Sequence, residues 1–317
     1  MALTEAPGSL GGASRPGGRA AAAAARVLSL GSVPPPALII LGIISVQVGA
    51  GLAKHLFERL PPSAVVSMRL LTSALVLGFV TRGALRTVLR DHTRSSLAIA
   101  ACFGVALAMM NFSIYQSFAR IPLGVAVTIE FLGPLTVSIV ASRRPLDVLW
   151  AVLAGTGVVM LARGGTEGLD PVGVAFALLA GACWAAYILL TAATGRRFSG
   201  STGLALASIV GTAVVLPAGA VSGGTAVLDP ELLLVGAGVG LLSSVIPYSL
   251  ELEALRRMPA RVFGVLMSLE PAAAALVGML LLGELLTLRQ WAAICCVVIA
   301  CAGVTRGRGE PPEAPEA

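Results

Sequence analysis

Long apolar runs alternate with short polar connections along almost the whole chain. A helix that crosses a bilayer needs about 20 mostly apolar residues. Ten runs are predicted to be such spans: residues 36–57, 63–81, 96–118, 122–142, 146–162, 171–194, 203–221, 231–255, 260–282 and 288–305. The connections leave no room for a soluble domain, so the pattern predicts an all-α membrane protein with ten transmembrane helices.

The two ends of the chain are polar and are predicted to lie outside the bilayer. Residues 1–34 are rich in Ala, Gly, Pro, Ser and Arg, without an apolar core long enough for a cleaved signal peptide. This composition is typical of a disordered tail. Residues 306–317, which end in "EPPEAPEA", are predicted to form a second polar tail.

Arginines between the spans indicate which side each connection faces. If the N-terminus is cytoplasmic, sixteen arginines fall in the inner segments and only four in the outer ones, namely Arg59, Arg120, Arg163 and Arg289. Basic residues accumulate on the cytoplasmic side of membrane proteins. We therefore expect both termini to be cytoplasmic.

A weak internal repeat divides the ten spans into two halves. The stretch "RIPLGVAVTIEFLGPLTV" in the fourth span aligns with "RMPARVFGVLMSLEPAAA" in the ninth, and each span is interrupted by a second proline, Pro134 or Pro271. The halves, 35–163 and 171–305, would each hold five helices. Because five is odd, the second half must enter the bilayer from the opposite side, as in the inverted repeats of many transporters. The alternative is that prolines are simply tolerated in membrane helices.

Composition narrows the classes of function. Apolar residues make up 56% of the chain and charged residues 12%, against about 25% charged in soluble domains. The net charge of +6 comes from arginines between apolar runs, which indicates membrane orientation rather than nucleic-acid binding. We expect no metal site, because the two histidines are isolated and the five cysteines include no CxxC pair. We expect no cofactor.

Four charged residues lie inside predicted spans. A charge at the bilayer centre costs roughly 2.5–3.5 kcal/mol on insertion scales. At 1.5 Å per residue, Lys54, Arg69 and Glu130 lie about 10–12 Å below the outer surface, whereas Glu270 lies near the bilayer centre. Charges on different helices at one depth predict a shared polar site.

Structural explanations compete with a functional one for three of these residues. Arg69 and Glu130 could form an ion pair that joins two helices, and Lys54 could extend to the outer interface. Glu270 has no basic residue at its depth. A carboxyl group removed from water favours its neutral form, so Glu270 is our candidate for a group that gains and loses a proton beside a cargo.

Other polar residues within the spans add weaker candidates. Asn111, Tyr115 and Tyr248 each have the alternative of an interhelical hydrogen bond, which is the commoner role of such groups. Tyr248 is favoured as a cavity residue because a proline precedes it. Glu251 and Glu253 lie beside a basic pair, and we assign them no role in transport.

Several stretches together resemble a known family. They are "VQVGAGLAKHLF", "PLGVAVTIEFLGPLTV", "SRRPLDVLWAVLA", "GACWAAYILL" and "PYSLELEALRRMPARVFGVLMSLEPAAAALVGMLLLGELLT". The chain resembles the EamA-type carriers of the drug/metabolite transporter superfamily, and within it the threonine/homoserine exporter branch. EamA-type halves often end the fourth helix with an apolar-Gly-Glu pattern; the second half keeps it at Glu284, whereas the first reads "ASRRPLD".

The resemblance implies a proton-coupled exporter of small neutral amino acids in the inner membrane of a bacterium. Such a cargo needs a cation for its carboxylate, an acid for its ammonium group and a partner for a hydroxyl group. The candidates for these three roles are, in that order, Arg69 or Lys54, Glu130 or Glu270, and Asn111, Tyr115 or Tyr248. The sequence leaves open whether the protein forms a homodimer.

Three other functions are alternatives to amino-acid export. Proteins of one fold often carry different cargoes, so a drug or another metabolite is the main alternative. A membrane enzyme is disfavoured because the chain has no HExxH motif, no acidic cluster for Mg²⁺ and no Ser-His-Asp arrangement. A channel is disfavoured because the intramembrane charges do not form repeated rings.

Overall fold

The computed structural model describes most of the chain and is helical throughout that part. The described residues are 33–83, 85, 88, 93–140, 146–162, 169–198, 202–255 and 257–307, and none of them lies in a β-strand. Nearly all of the predicted N-terminal tail, and the C-terminal tail from residue 308, lie outside the described residues. The all-α prediction is confirmed.

Six helical segments form the first part of the bundle. They are α1 (Pro35–Leu56), α2 (Pro62–Val80), α3 (Arg94–Phe118), α4a (Leu123–Glu130), α4b (Leu132–Val140) and α5 (Leu146–Ala162). Prolines begin α1 and α2, where the missing backbone N–H has no intrahelical partner in any case. The Thr93 hydroxyl caps α3 by accepting a hydrogen bond from the Ser96 backbone N–H.

The remaining helical segments form the second part of the bundle. It comprises α6 (Pro171–Gly195), α7 (Thr202–Gly223), a 3₁₀ turn (Gly224–Leu228), α8a (Pro230–Gly240), α8b (Ile246–Leu255), α9a (Ala260–Met267), α9b (Glu270–Leu282) and α10 (Leu288–Gly307). The side chains of Asp170 and Asp229 cap α6 and α8a.

Most of these helices are suited to a bilayer. Eight segments of the described residues are long and apolar enough to span a membrane, and two shorter apolar helices cover Val148–Leu161 and Leu288–Val304. The shorter two correspond to the predicted fifth and tenth spans. Large apolar side chains such as Leu75, Phe79 and Leu280 lie exposed on the surface of the bundle, which a lipid environment explains.

Three helices are interrupted within the bundle. The break between α4a and α4b falls at Phe131, and that between α9a and α9b falls at Ser268 and Leu269. Pro134 and Pro271 lie in the first turn of the segment that follows each break, since proline lacks an N–H and clashes with the preceding turn. In the eighth span, the π-helical segment Leu241–Val245 joins α8a to α8b.

Glycines bring the interrupted helices close to their neighbours. A Cβ atom at Gly124 of α4a would collide with Ala275 of α9b, and one at Gly133 of α4b would collide with the backbone of Gly181 of α6. These approaches fix α4 between α9 and α6. As a result, Glu130, the last residue of α4a, and Glu270, the first residue of α9b, are both held in the interior.

Candidate functional site

A cavity of about 380 Å³ lies inside the bundle. Its walls come from α1, α2, α3, α4, α6, α8, α9 and α10, and Pro134 forms part of them. Its charged lining residues are Arg69, Glu130, Glu251 and Glu270. Most of the remaining wall is apolar or aromatic, as is usual for small-molecule sites, which hold a few placed polar groups within an apolar pocket.

Arg69 is held at the boundary between α2 and the π-helical segment of α8. Its guanidinium donates hydrogen bonds to the Ser243 carbonyl oxygen (2.9 Å), the Ser244 hydroxyl (3.3 Å) and the Tyr115 hydroxyl (3.4 Å). Its Cζ also lies 5.4 Å from the centre of the Tyr115 ring. No ion pair among the described residues joins Arg69 to Glu130, so Arg69 is positioned by neutral groups.

Glu130 and Glu270 enter the cavity from the two interrupted helices. Both are buried, with 8% and 9% of their surface exposed. Gln47 of α1 donates a hydrogen bond from Nε2 to Oε1 of Glu270 at 3.1 Å. This contact orients the Glu270 carboxyl and joins α1 to α9b.

Three buried polar atoms of lining residues lack a partner among the described residues. They are Oε2 of Glu270, Oε1 of Gln47 and Oγ of Ser243. Buried polar atoms in folded proteins are nearly always hydrogen-bonded, and leaving one unpaired costs about 1–3 kcal/mol. All three atoms belong to residues that line one cavity, so they are available to bind a polar ligand or water.

The predicted hydroxyl-binding residues divide into two groups. Asn111 and Tyr248 line the cavity. Asn111 donates from Nδ2 to the Leu107 carbonyl oxygen at 2.8 Å, and this contact fixes its amide. Tyr115 is fully buried behind Arg69 and is not a lining residue, so its contact with the guanidinium makes it a support for Arg69.

Lys54, one of the two residues predicted to bind the cargo carboxylate, is not among the residues that line the cavity. Its Nζ contacts Oε1 of Glu284 at 2.5 Å and donates to the Ile121 carbonyl oxygen at 3.1 Å. The other Glu284 oxygen accepts a hydrogen bond from the Leu123 backbone N–H at 2.8 Å. Lys54 therefore neutralises Glu284 in a cluster that ties the end of α1 to the start of α4a and the end of α9b.

Glu251 was missed as a site residue because it was grouped with Glu253. The structure separates the two: Glu253 pairs with Arg257 at 3.8 Å, whereas Glu251 lines the cavity. The signal available in the sequence was spacing, since Glu251 follows Tyr248 by three residues and therefore shares its helix face. The cavity is also lined by Gln47, Ser243 and Trp184, which were not among the predicted site residues.

Comparison with known proteins agrees with this architecture. Residues 171–306 match the EamA-like transporter family. The threonine/homoserine exporters RhtA of Salmonella typhimurium (strain LT2) and Escherichia coli (strain K12) are each 40% identical over 274 residues, which is 86% of this chain and 91% of the relative.

A solved crystal structure is also similar, with a TM-score of 0.54 and 15% identity over 84% of this chain and 96% of its own; this likeness shows a shared fold alone. The apolar helices and the similarity to bacterial exporters show that this chain is a multi-pass protein of the bacterial inner membrane. They also show that it is a transporter rather than an enzyme. The chain is 40% identical to these exporters over 86% of its length, and residues 171–306 match the family itself. The chain therefore belongs to the EamA-like transporter family.

Proposed function

We propose that this protein exports small neutral amino acids such as threonine and homoserine in exchange for protons. The observation that carries the proposal is that one guanidinium and several carboxyl groups line a single interior cavity. Two relatives that match most of this chain are named threonine/homoserine exporters, and this supports the choice of cargo. The cavity volume lies near the lower end of the range of about 300–1,000 Å³ for small-molecule sites.

The lining residues suit each polar group of such a cargo. Arg69 presents a planar fork of donors, which matches a carboxylate. Glu130 or Glu270 would accept from the ammonium group. Asn111 and Tyr248 offer partners for a side-chain hydroxyl, as does Ser243, whose own hydroxyl has no partner among the described residues.

Charge balance provides the reason for coupling to protons. The cavity has one basic residue and three acidic ones. Like charges in a medium of low dielectric constant repel strongly, so at least one acid must be neutralised, either by a proton or by the ammonium group of the cargo. Because both would use the same carboxyl groups, binding of one displaces the other. This competition is the basis of antiport.

We further propose ten helices in two inverted repeats, 35–163 and 171–305, with both termini cytoplasmic. The helix contacts support the repeat, because several of the most extensive ones are exchanged in pairs when each helix is shifted by five. The α3–α6 contact corresponds to α8–α1, α4–α6 to α9–α1, and α3–α7 to α8–α2. The α2–α7, α4–α9 and α5–α10 contacts are each their own counterparts. Rocking of one repeat against the other would open the cavity alternately to each side.

Efflux from living cells tests the proposed cargo. Bacteria that express the protein should release preloaded radiolabelled threonine and homoserine faster than vector controls, and a protonophore should slow this release because the driving gradient is lost. A strain that releases the amino acids no faster than the control but excludes a cationic dye would instead support the alternative, export of a drug or another metabolite on the same fold.

A further inference from the structure

Glu251 lies in the cavity, yet the cargo scheme above leaves it without a function. It belongs to α8b, and its Cγ lies 3.9 Å from the place that a Cβ atom would take at Gly42 of α1. This is an ordinary van der Waals distance, so the Glu251 side chain lies directly beside α1. Glu251 is thus packed into the α1–α8b contact that borders the cavity.

The two acids that contact α1 do so at different levels. Glu251 packs against Gly42, and Glu270 accepts a hydrogen bond from Gln47, five residues further along the same helix. At 1.5 Å per residue the two contact points are about 7–8 Å apart along the axis. Since α1 starts at the cytoplasmic side in the proposed orientation, Glu251 lies on the cytoplasmic side of Glu270.

The surroundings of Glu251 contain the groups that a proton path requires. Tyr187 of α6, Tyr248 of α8b and Glu270 of α9b line the same cavity as Glu251. Arg69 and Glu130 line the same cavity, and Gln47 is the polar residue that α1 contributes. On its own helix, Glu253 is paired with Arg257 instead.

We propose that Glu251 is the proton-transfer residue between Glu270 and the cytoplasm, an inference that rests on the proposed antiport. When the ammonium group of the cargo approaches Glu270, the O–H bond of the Glu270 carboxyl breaks and an O–H bond forms on the Glu251 carboxylate, directly or through water. Glu251 then gives this proton to cytoplasmic water. No electrons are transferred, and Glu251 is ready for the next cycle.

Two transport modes of the full-length protein in proteoliposomes test this function. Exchange of internal for external threonine at equal pH requires no net proton release, whereas net transport driven by a pH gradient does. Because a positioned acid–base group contributes about 10²–10⁴-fold to a proton transfer, Glu251→Gln should reduce net transport at least roughly tenfold. Its exchange should stay close to wild type, and Glu251→Asp should restore much of the net transport.

Glu253→Gln is the matched control, since it removes an acid two residues away that does not line the cavity, and it should leave both modes unchanged. Loss of both modes in Glu251→Gln would overturn the inference in favour of a function in cargo binding or folding. Unchanged net transport in that variant would overturn it as well. Failure of the wild-type protein itself to exchange threonine would instead overturn the proposed function, and the inference with it.

Discussion

Replacing Glu270 with glutamine should abolish threonine transport driven by a pH gradient while leaving the fold intact. Glutamine has nearly the same shape, and its amide oxygen can still accept the hydrogen bond that Gln47 donates to Glu270. It cannot carry a proton, so cargo binding no longer displaces one. We expect net transport in proteoliposomes to fall by roughly 100-fold or more, the scale on which a positioned acid–base group contributes.

An exposed acid provides the control for this variant. Glu58 lies just beyond the end of α1 and is exposed, so Glu58→Gln removes the same charge without touching the cavity and should transport at the wild-type rate. Size-exclusion profiles of the two variants should coincide with that of the wild-type protein. Undiminished gradient-driven transport by Glu270→Gln would remove Glu270 from the coupling mechanism.

Replacing Arg69 should weaken cargo binding more than any other single change in the cavity. It is the only basic residue that lines the cavity within the described part of the chain. Removing one member of a buried, hydrogen-bonded charge pair costs about 2–5 kcal/mol, so the dissociation constant of threonine for Arg69→Gln should rise by roughly 30-fold or more. Calorimetry on the purified protein in detergent measures this constant directly.

Two further variants test whether binding depends on the charge of Arg69 alone, on the geometry of its donors, or on its location in the cavity. Arg69→Lys keeps the charge but loses the fork of donors that now reaches Ser243, Ser244 and Tyr115, so its affinity should be intermediate. Lys54→Met removes a basic residue outside the cavity and should leave the affinity unchanged. Equal losses in Lys54→Met and Arg69→Gln would contradict the placement of the cargo carboxylate at Arg69.

The general architecture could be predicted from the sequence because hydrophobicity and proline act locally. The apolar run 63–81 was found as α2, Pro62–Val80, within one residue at each end. Pro271 could be predicted to interrupt the ninth span, since proline cannot continue the hydrogen bonding of a helix interior. Depth along a helix can also be counted from the sequence, and Arg69, Glu130 and Glu270, which were predicted to lie inside spans, line one cavity in the structure.

The direction in which a side chain points around its helix could not be predicted in the same way. Lys54 was placed at the depth of Arg69, yet it contacts Glu284 rather than the cavity, because the packing of α1 against α4a and α9b decides which face of α1 turns inward. For Glu251, the nearby basic pair offered a local explanation of its charge, so its position in the cavity was not predicted. The structure shows that Glu251 lines the cavity and lies beside Gly42 of α1.

We propose that cargo and protons compete for the same carboxyl groups in one cavity. The most direct test is to add threonine to the purified protein in a weakly buffered solution and to measure the protons released. We expect release from the wild-type protein and none from Glu270→Gln at saturating threonine. Threonine binding to the wild-type protein without any proton release would contradict it.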